Sequence, residues 1–241
     1  MKQKKTQKKK KLEIKNLPKP ERIRLAKAKM IKVLDHLLYV VELHANNSFV
    51  VFSPELASQI TRSYAANAFN VFQRSMYQIE IVRLCAVWDG VDLEKENIPT
   101  VVELINDEAI IETLIDETRS HHQDPRDKQF ADERAALARS ALLQAIAGVR
   151  AVLSSTRLAS IMNIRDKHLA HSLETTRREK NGSVQPMKYG DETELLNATI
   201  PIVEDLYCWV NGTSFSIENS QEIDQRNAEA LWTGCKFVDL R

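Results

Sequence analysis

The chain has 241 residues, 43% of them hydrophobic, with only 6 Gly and 7 Pro, so it can bury a core as one large domain. Its formal net charge of +1 hides an uneven distribution, because residues 1–11 hold seven lysines and no acidic residue. The start lacks the apolar stretch of a secretory signal, and no run of about 18 apolar residues occurs. We therefore expect a cytoplasmic protein without a membrane span.

The three cysteines and the few glycines exclude several kinds of site. Cys85, Cys208 and Cys235 are far apart and show no Cys-x-x-Cys spacing, which argues against a disulfide framework or a cysteine zinc site. No P-loop, Gly-x-Gly-x-x-Gly or Gly-x-Ser-x-Gly motif is present. We expect no bound cofactor.

A lysine-rich segment opens the chain. We expect residues 1–19 to form a flexible, disordered basic arm and residues 20–241 to form a single domain, because a run of like charges repels itself. The arm is either a solvated tail that aids solubility or a contact for RNA. The lysines that would contact RNA are Lys4, Lys5, Lys8, Lys9, Lys10 and Lys11.

Apolar residues at helical spacing predict three helices in the first half of the chain. The first covers roughly 20–45. The second begins at the cap Ser53-Pro54-Glu55 and reaches Trp88. The third opens at Pro99-Thr100, which with Glu103 resembles a capping box, and fades near His121.

The second half predicts a turn at residues 121–127 and then further helices. A fourth helix carries small residues for close packing, including Gly148. Another follows Ser154-Ser155, and residues 177–191 form a loop. Asp191 and Glu194 cap the next helix, in which Pro201 predicts a kink, and a last helix covers about 217–232. The best strand candidate is only residues 49–52, so the predicted fold is an all-α antiparallel helical bundle.

Residues 164–173, IRDKHLAHSL, place an unusual number of polar groups in a stretch that reads as helical. His168 and His171 are three positions apart and would share a helix face, which is compatible with a metal-binding pair. A third ligand is hard to identify, because nothing brings His121 or His122 near, so we expect no metal site. A histidine here could also be satisfied by a backbone carbonyl in a core or an interface.

The segment RDKHLAH, residues 165–171, resembles the Arg-polar-x-x-x-x-His signature of the HEPN superfamily, small all-α domains of prokaryotic toxins, phage defence and RNA processing. Together with LCAVWD upstream, it is most similar to the abortive-infection branch, over about residues 50–215. The resemblance implies a metal-independent endoribonuclease acting as a toxin or an anti-phage effector. The alternative is a non-catalytic HEPN-type module for dimerisation or RNA binding.

The resemblance also implies roles for individual residues. His171 would be the general acid or base, Arg165 would stabilise charge on the phosphate, and Asp166, at the motif's polar position, would orient one of them. Lys167 and His168 are secondary candidates inside the motif. Two further secondary candidates, Arg83 and Asp89, lie on the upstream helix, where a buried charge would need a partner.

One position departs from the family pattern. Some relatives carry a tyrosine two residues after the final histidine, where a partner enzyme attaches AMP, and this chain has Leu173 there. Regulation by that route is therefore not expected.

On a continuous helix, Arg165 and His171 would point roughly 120° apart. Either the helix bends, or the arginine reaches around, or two copies of the motif face each other across a two-fold axis, as is usual in the family. We therefore expect a homodimer that acts on RNA, with an antitoxin or another defence protein as a further possible partner.

Overall fold

A computed structural model describes residues 2–60, 62–120 and 128–237, with the side chains of residues 2–4 excepted. The turn expected at 121–127, with His121 and His122, and the side chain of Lys4 lie outside the described part. The described residues form α-helices and no strand, which confirms the all-α fold. The helices are α1 Lys2–Lys15, α2 Lys19–Val50, α3 Pro54–Ser58, α4 Tyr64–Val87, α5 Ile98–Ile105, α6 Glu108–Ser120, α7 Lys128–Ser154, α8 Thr156–Ile164, α9 Asp191–Asn211 and α10 Ile217–Gly234.

Helix α2 is the central helix, with α4, α5, α9 and α10 packed around it. Its predicted apolar face is buried, including Met30, Val33 and Leu37, each without exposed surface. The possible strand at residues 49–52 forms the end of α2 and the turn after it. A 32-residue helix therefore provides the surface on which the rest of the bundle assembles.

Two helices predicted as continuous are each divided. Ser63 is extended, and its side chain accepts a hydrogen bond from the Ala66 N–H, so α4 begins there instead of at Ser53. Helix α5 ends at Ile105, and α6 starts after Asp107, whose carboxylate accepts from the Ala109 N–H. In both places a side chain that caps a helix begins a new helix, although the apolar spacing by itself predicts one continuous helix.

Helix caps also differ from the sequence expectation. Asn97, not Thr100, caps α5, since its side chain accepts from the Thr100 N–H at 2.9 Å. Gly190 caps α9 with a positive φ of 88°, and the helix continues past Pro201. The Asp191–Glu194 capping box is therefore absent, although the helix starts at the predicted residue.

Helices α7 and α9 pack closely at Gly148, as predicted from its small size. A Cβ atom there would lie 3.2 Å from Ile202 Cδ1.

By length and composition, α7 is also apolar enough to cross a membrane, which the sequence analysis did not anticipate. Helices of soluble bundles pass the same test, and α7 packs against α6 and α9, so this one helix is weak support for a span.

The N-terminal arm is ordered as α1, which corrects the expectation of disorder. Ile14 has no exposed surface and anchors the helix in the core. Lys10 pairs with Asp92, and Lys11 pairs with Glu103 at 2.9 Å, so acidic groups of the bundle offset part of the lysine charge. The charge of this segment alone predicted disorder. The segment is helical because the rest of the domain supplies a buried site for Ile14 and carboxylates that pair with Lys10 and Lys11.

Buried polar groups join α2, α4 and α9 in the middle of the bundle. Glu80, with no exposed surface, accepts a hydrogen bond from Asn47 Nδ2, and its Oε1 is 2.7 Å from His44 Nδ1. Tyr77 donates to Glu192, the second residue of α9, at 3.1 Å. These bonds fix the start of α9, which directly follows the loop described below.

Candidate functional site

The motif lies where α8 changes into a wider turn and ends. Ser155 caps α8 by accepting from the Leu158 N–H, and the helix runs to Ile164. Residues Arg165–Leu169 then form a π-helical turn, closed by a 2.8 Å hydrogen bond from the Ala170 N–H to the Arg165 carbonyl. Such turns often occur at functional sites. Because the helix ends here, His171 is not on it, and the expected angle for a continuous helix does not apply.

Arg165 is held by two carboxylates. Its Nη1 donates to Asp89 Oδ1 at 2.6 Å, while Nε and Nη2 both donate to Asp166 Oδ1 at 3.0 and 2.7 Å. The side chain is 17% exposed, so it is not fully buried. Asp89 lies two residues after the end of α4, so the upstream candidate and the motif meet in space.

Two more cations complete this group. Lys95 donates to Asp89 Oδ2 at 2.8 Å, and Arg178 donates to Asp166 Oδ2 at 2.7 Å. Burial raises the pKa of the Asp89 carboxyl, but hydrogen bonds from Lys95 and Arg165 outweigh it, so the pKa lies below its ordinary value. Three cations thus face two carboxylates, and we call these five residues the arginine cluster.

A closed set of hydrogen bonds holds the segment after the π-turn. Glu179 Oε1 accepts from Asn163 Nδ2 and Lys167 Nζ, and Oε2 accepts from the Thr176 N–H. The Thr176 hydroxyl donates to Asn163 Oδ1 and accepts from the Glu179 N–H. The carboxyl group of Glu179 has its pKa lowered to about 2 by the Thr176 N–H, Asn163 and Lys167.

The two histidines of the motif are exposed. Within the described ranges, neither imidazole has a hydrogen-bond or ion-pair partner in the structure. Leu169, between them, packs against the core and fixes the turn from behind. The histidines are thus accessible to a ligand, while the arginine beside them is oriented by carboxylates.

Arg83 lies apart from the arginine cluster. It is exposed, and its guanidinium carbon is 5.4 Å from the centre of the Tyr39 ring on α2. Cys85, one turn before Asp89, has no exposed surface, and burial raises the pKa of its thiol to about 12. Of the two upstream secondary candidates, the structure brings only Asp89 to Arg165.

Helix α1 lies next to the segment that carries Asp89. Gln7 covers Gly90 so closely that a Cβ atom there would collide with its amide, and Lys10 pairs with Asp92. Lys5, Lys8 and Lys9 remain exposed. Helix α1 therefore reaches the segment that follows Asp89, a proximity that nothing in the spacing of its lysines indicated.

Sequence reasoning missed Lys95, Arg178, Glu179 and the Asn163–Thr176 pair. Only the charge density of residues 177–180 was a signal, and it was read as a polar loop. Over the described residues, no group of three or more His, Cys, Asp or Glu side chains is arranged to hold a metal ion.

Comparison with known proteins agrees with the resemblance in the motif. The sequence model of the HEPN AbiU2 family (HEPN_AbiU2: AbiU2) matches residues 5–231, from α1 into α10, a wider region than residues 50–215. No curated protein and no solved structure gives a significant match. Since nearly the whole chain is matched, it belongs to the AbiU2 family of HEPN proteins, a family of the abortive-infection type.

Proposed function

We propose that the protein is a metal-independent endoribonuclease that acts as a toxin or anti-phage effector in abortive infection. The observation that carries the proposal is the exposed His171, which has no partner in the described residues and follows directly on the π-turn that holds Arg165. Membership of an abortive-infection HEPN family supports the biological setting.

Cleaving RNA without a metal requires a base for the 2′-hydroxyl proton, an acid for the leaving 5′-oxygen and a cation for the charge that develops on phosphorus. His171 supplies proton transfer, because an imidazole titrates near neutral pH. Arg165 supplies the cation, and its planar guanidinium matches phosphate oxygens. Asp166 orients Arg165 through two of its N–H groups.

A second copy of the chain is the proposed partner for this chemistry. In the described structure, no hydrogen bond joins Arg165 to His171, and the two-fold arrangement expected above would bring two motifs together. Helix α4, which leads to Asp89, exposes the large apolar side chains Tyr64, Val71, Phe72, Ile79 and Val82. Such apolar surface is typical of an interface. An antitoxin or another defence protein is a further proposed partner.

The exposed lysines of α1 are proposed to contact the RNA backbone beside the cleavage site. Their helix contacts the segment after Asp89 through Gln7 and Lys10, and we propose that an RNA bound at Arg165 passes along this helix. Phosphate contacts of this kind add affinity but carry no sequence information.

A non-catalytic module for dimerisation or RNA binding is the second candidate. One observation favours it: Arg165 already donates to Asp89 and Asp166, so this arginine is compatible with a purely structural role.

Cleavage of a labelled single-stranded RNA by the full chain separates the two candidates. We expect His171→Ala to lower the rate by about 10² to 10⁴. His168→Ala is the matched control, three residues away and also exposed, and should leave a reduced but measurable rate. Loss in His168→Ala with His171→Ala unaffected would move the proton-transfer role to His168. A folded wild-type protein that binds RNA without cleaving it would support the non-catalytic module.

A further inference from the structure

Arg178 is brought to the motif from outside it. It lies 12 positions after Asp166 in sequence, and its Nη1 donates to Asp166 Oδ2 at 2.7 Å. Arg165 uses the other oxygen of the same carboxylate. The side chain of Arg178 is 37% exposed, against 17% for Arg165. Of the two arginines on Asp166, the one that sequence reasoning missed is more accessible to a bound anion.

Arg165 alone is poorly placed to attract a phosphate. Its N–H groups on three nitrogens already point at carboxylates, whose charge offsets its own. Without Arg178, the two remaining cations of the cluster would be matched by Asp89 and Asp166. Arg178 therefore supplies the excess positive charge that an approaching phosphodiester would meet.

The position of Arg178 depends on its neighbour Glu179. The Glu179 carboxylate binds Asn163 at the end of α8, Lys167 in the π-turn and the Thr176 backbone. Asn163 is 8% and Thr176 1% exposed, so the inner part of this set is shielded from water. These bonds fold the segment after His171 back against α8, and they leave the Arg178 side chain next to Asp166.

We propose that Arg178 is a second phosphate-contacting arginine of the site and that Glu179 is the residue that positions it. This assignment rests on the proposed function, because it names how the same site holds RNA. The low pKa of the Glu179 carboxyl agrees with it, since the group stays ionised and paired throughout the physiological pH range. Arg178 acts on the substrate, whereas Glu179 acts through Arg178.

The first test measures binding of a fluorescent single-stranded RNA to the full chain as a function of salt, in a His171→Ala background that prevents cleavage. One phosphate contact on a single strand contributes roughly 0.7 to the slope of log K against log salt. We expect Arg178→Ala to reduce the slope by about that amount and Arg178→Lys to keep most of it. The matched control is Arg177→Ala, an exposed neighbour with the same change of charge, which should leave the slope unchanged.

The second test measures cleavage by proteins that keep the parental His171. We expect Arg178→Ala to lower kcat/KM by about 10- to 100-fold, less than the loss of a buried transition-state donor. Glu179→Gln should lower kcat/KM by a similar factor when Arg178 is present. In the second background, in which Arg178 is already alanine, Glu179→Gln should cause no additional loss of kcat/KM. A merely structural Glu179 would instead lower activity by the same factor in both backgrounds.

The outcomes separate the two levels of inference. If the parent cleaves RNA and Arg178→Ala behaves like Arg177→Ala, the role of Arg178 is refuted while the ribonuclease stands. Equal losses from Glu179→Gln in both backgrounds would refute the positioning role. A parent that neither binds nor cleaves RNA would overturn the proposed function and this assignment with it.

Discussion

Replacing Arg165 with alanine should damage both chemistry and stability, and the structure gives the size of the second effect. The lost side chain is 17% exposed and donates three hydrogen bonds to Asp89 and Asp166. Hydrogen bonds to charged groups contribute about 1.5–3 kcal/mol each. Asp89 nevertheless keeps Lys95, and Asp166 keeps Arg178. Because neither carboxylate is left unpaired, we expect the free energy of unfolding to fall by about 2 kcal/mol, not by the sum of three bonds.

For a chain of this size, a loss of 1 kcal/mol lowers Tm by about 2–4 °C, so Arg165→Ala should lower Tm by about 4–8 °C. His171→Ala should change the free energy of unfolding by less than about 0.5 kcal/mol, because the side chain is exposed and has no partner in the described part of the chain. Both variants should lose cleavage. Far-UV circular dichroism during heating and cleavage of labelled RNA measure the two quantities.

Arg165→Lys is the matched control. It keeps the charge but cannot donate to both carboxylates in the geometry of the guanidinium, so we expect it to recover part of the lost Tm without recovering cleavage. If Arg165→Ala unfolds at the parental temperature, the ion pairs do not hold the π-turn, and the reasoning is wrong. An equal loss of Tm in His171→Ala would contradict the assignment of that histidine to an open surface.

Three further measurements test the proposals. Cleavage should persist in EDTA, because the site relies on arginine and histidine; loss on chelation with recovery in a divalent ion would point to another site. Changing Lys5, Lys8 and Lys9 to Gln should flatten the salt dependence of RNA binding and leave the turnover of bound RNA nearly unchanged, whereas an unaltered slope would remove α1 from the interface. For pH, Glu179 has a folded pKa of about 2, below the ordinary 4.5, so its stabilisation is present above about pH 4.5 and disappears as the pH falls towards 2. The difference in Tm between the parent and Glu179→Gln should therefore shrink over that range, and a constant difference would show that the charge of Glu179 does not matter.

The sequence predicted most of the helices because each depends on a local apolar period. The buried face of α2 and the close approach at Gly148 follow from spacing and side-chain size, which can be seen without a structure. The breaks at Ser63 and after Ile105 were missed, since they depend on single polar side chains that cap the next helix. Apolar spacing gives little sign of such a restart.

The arrangement around the motif was less accessible to sequence reasoning. Arg165 and His171 stood out by their residue types, and Asp89 was noted as a charge that would need a partner. The pairing of Arg178 with Asp166 depends on a loop that turns back, and its path is set by Glu179 and Asn163 together. Charge pairs between residues far apart in the chain leave no periodic pattern in the sequence, so spacing does not predict them. Helix α1 was misjudged for a related reason, because Asp92 and the site for Ile14 belong to distant segments.

The buried thiol of Cys85 makes local opening of the protein beside the arginine cluster measurable. Only a thiolate reacts readily with alkylating reagents, and here the thiol has no exposed surface and a pKa of about 12. Alkylation at this position therefore requires the end of α4 to separate from its neighbours, so its rate reports the free energy of that separation. Cys208 and Cys235 are partly exposed and should react sooner, which lets peptide mass spectrometry distinguish them. If the alkylation rate at Cys85 rises when RNA is added, RNA lowers the free energy of this local opening. If the rate falls, RNA stabilises the closed state of this end of the bundle.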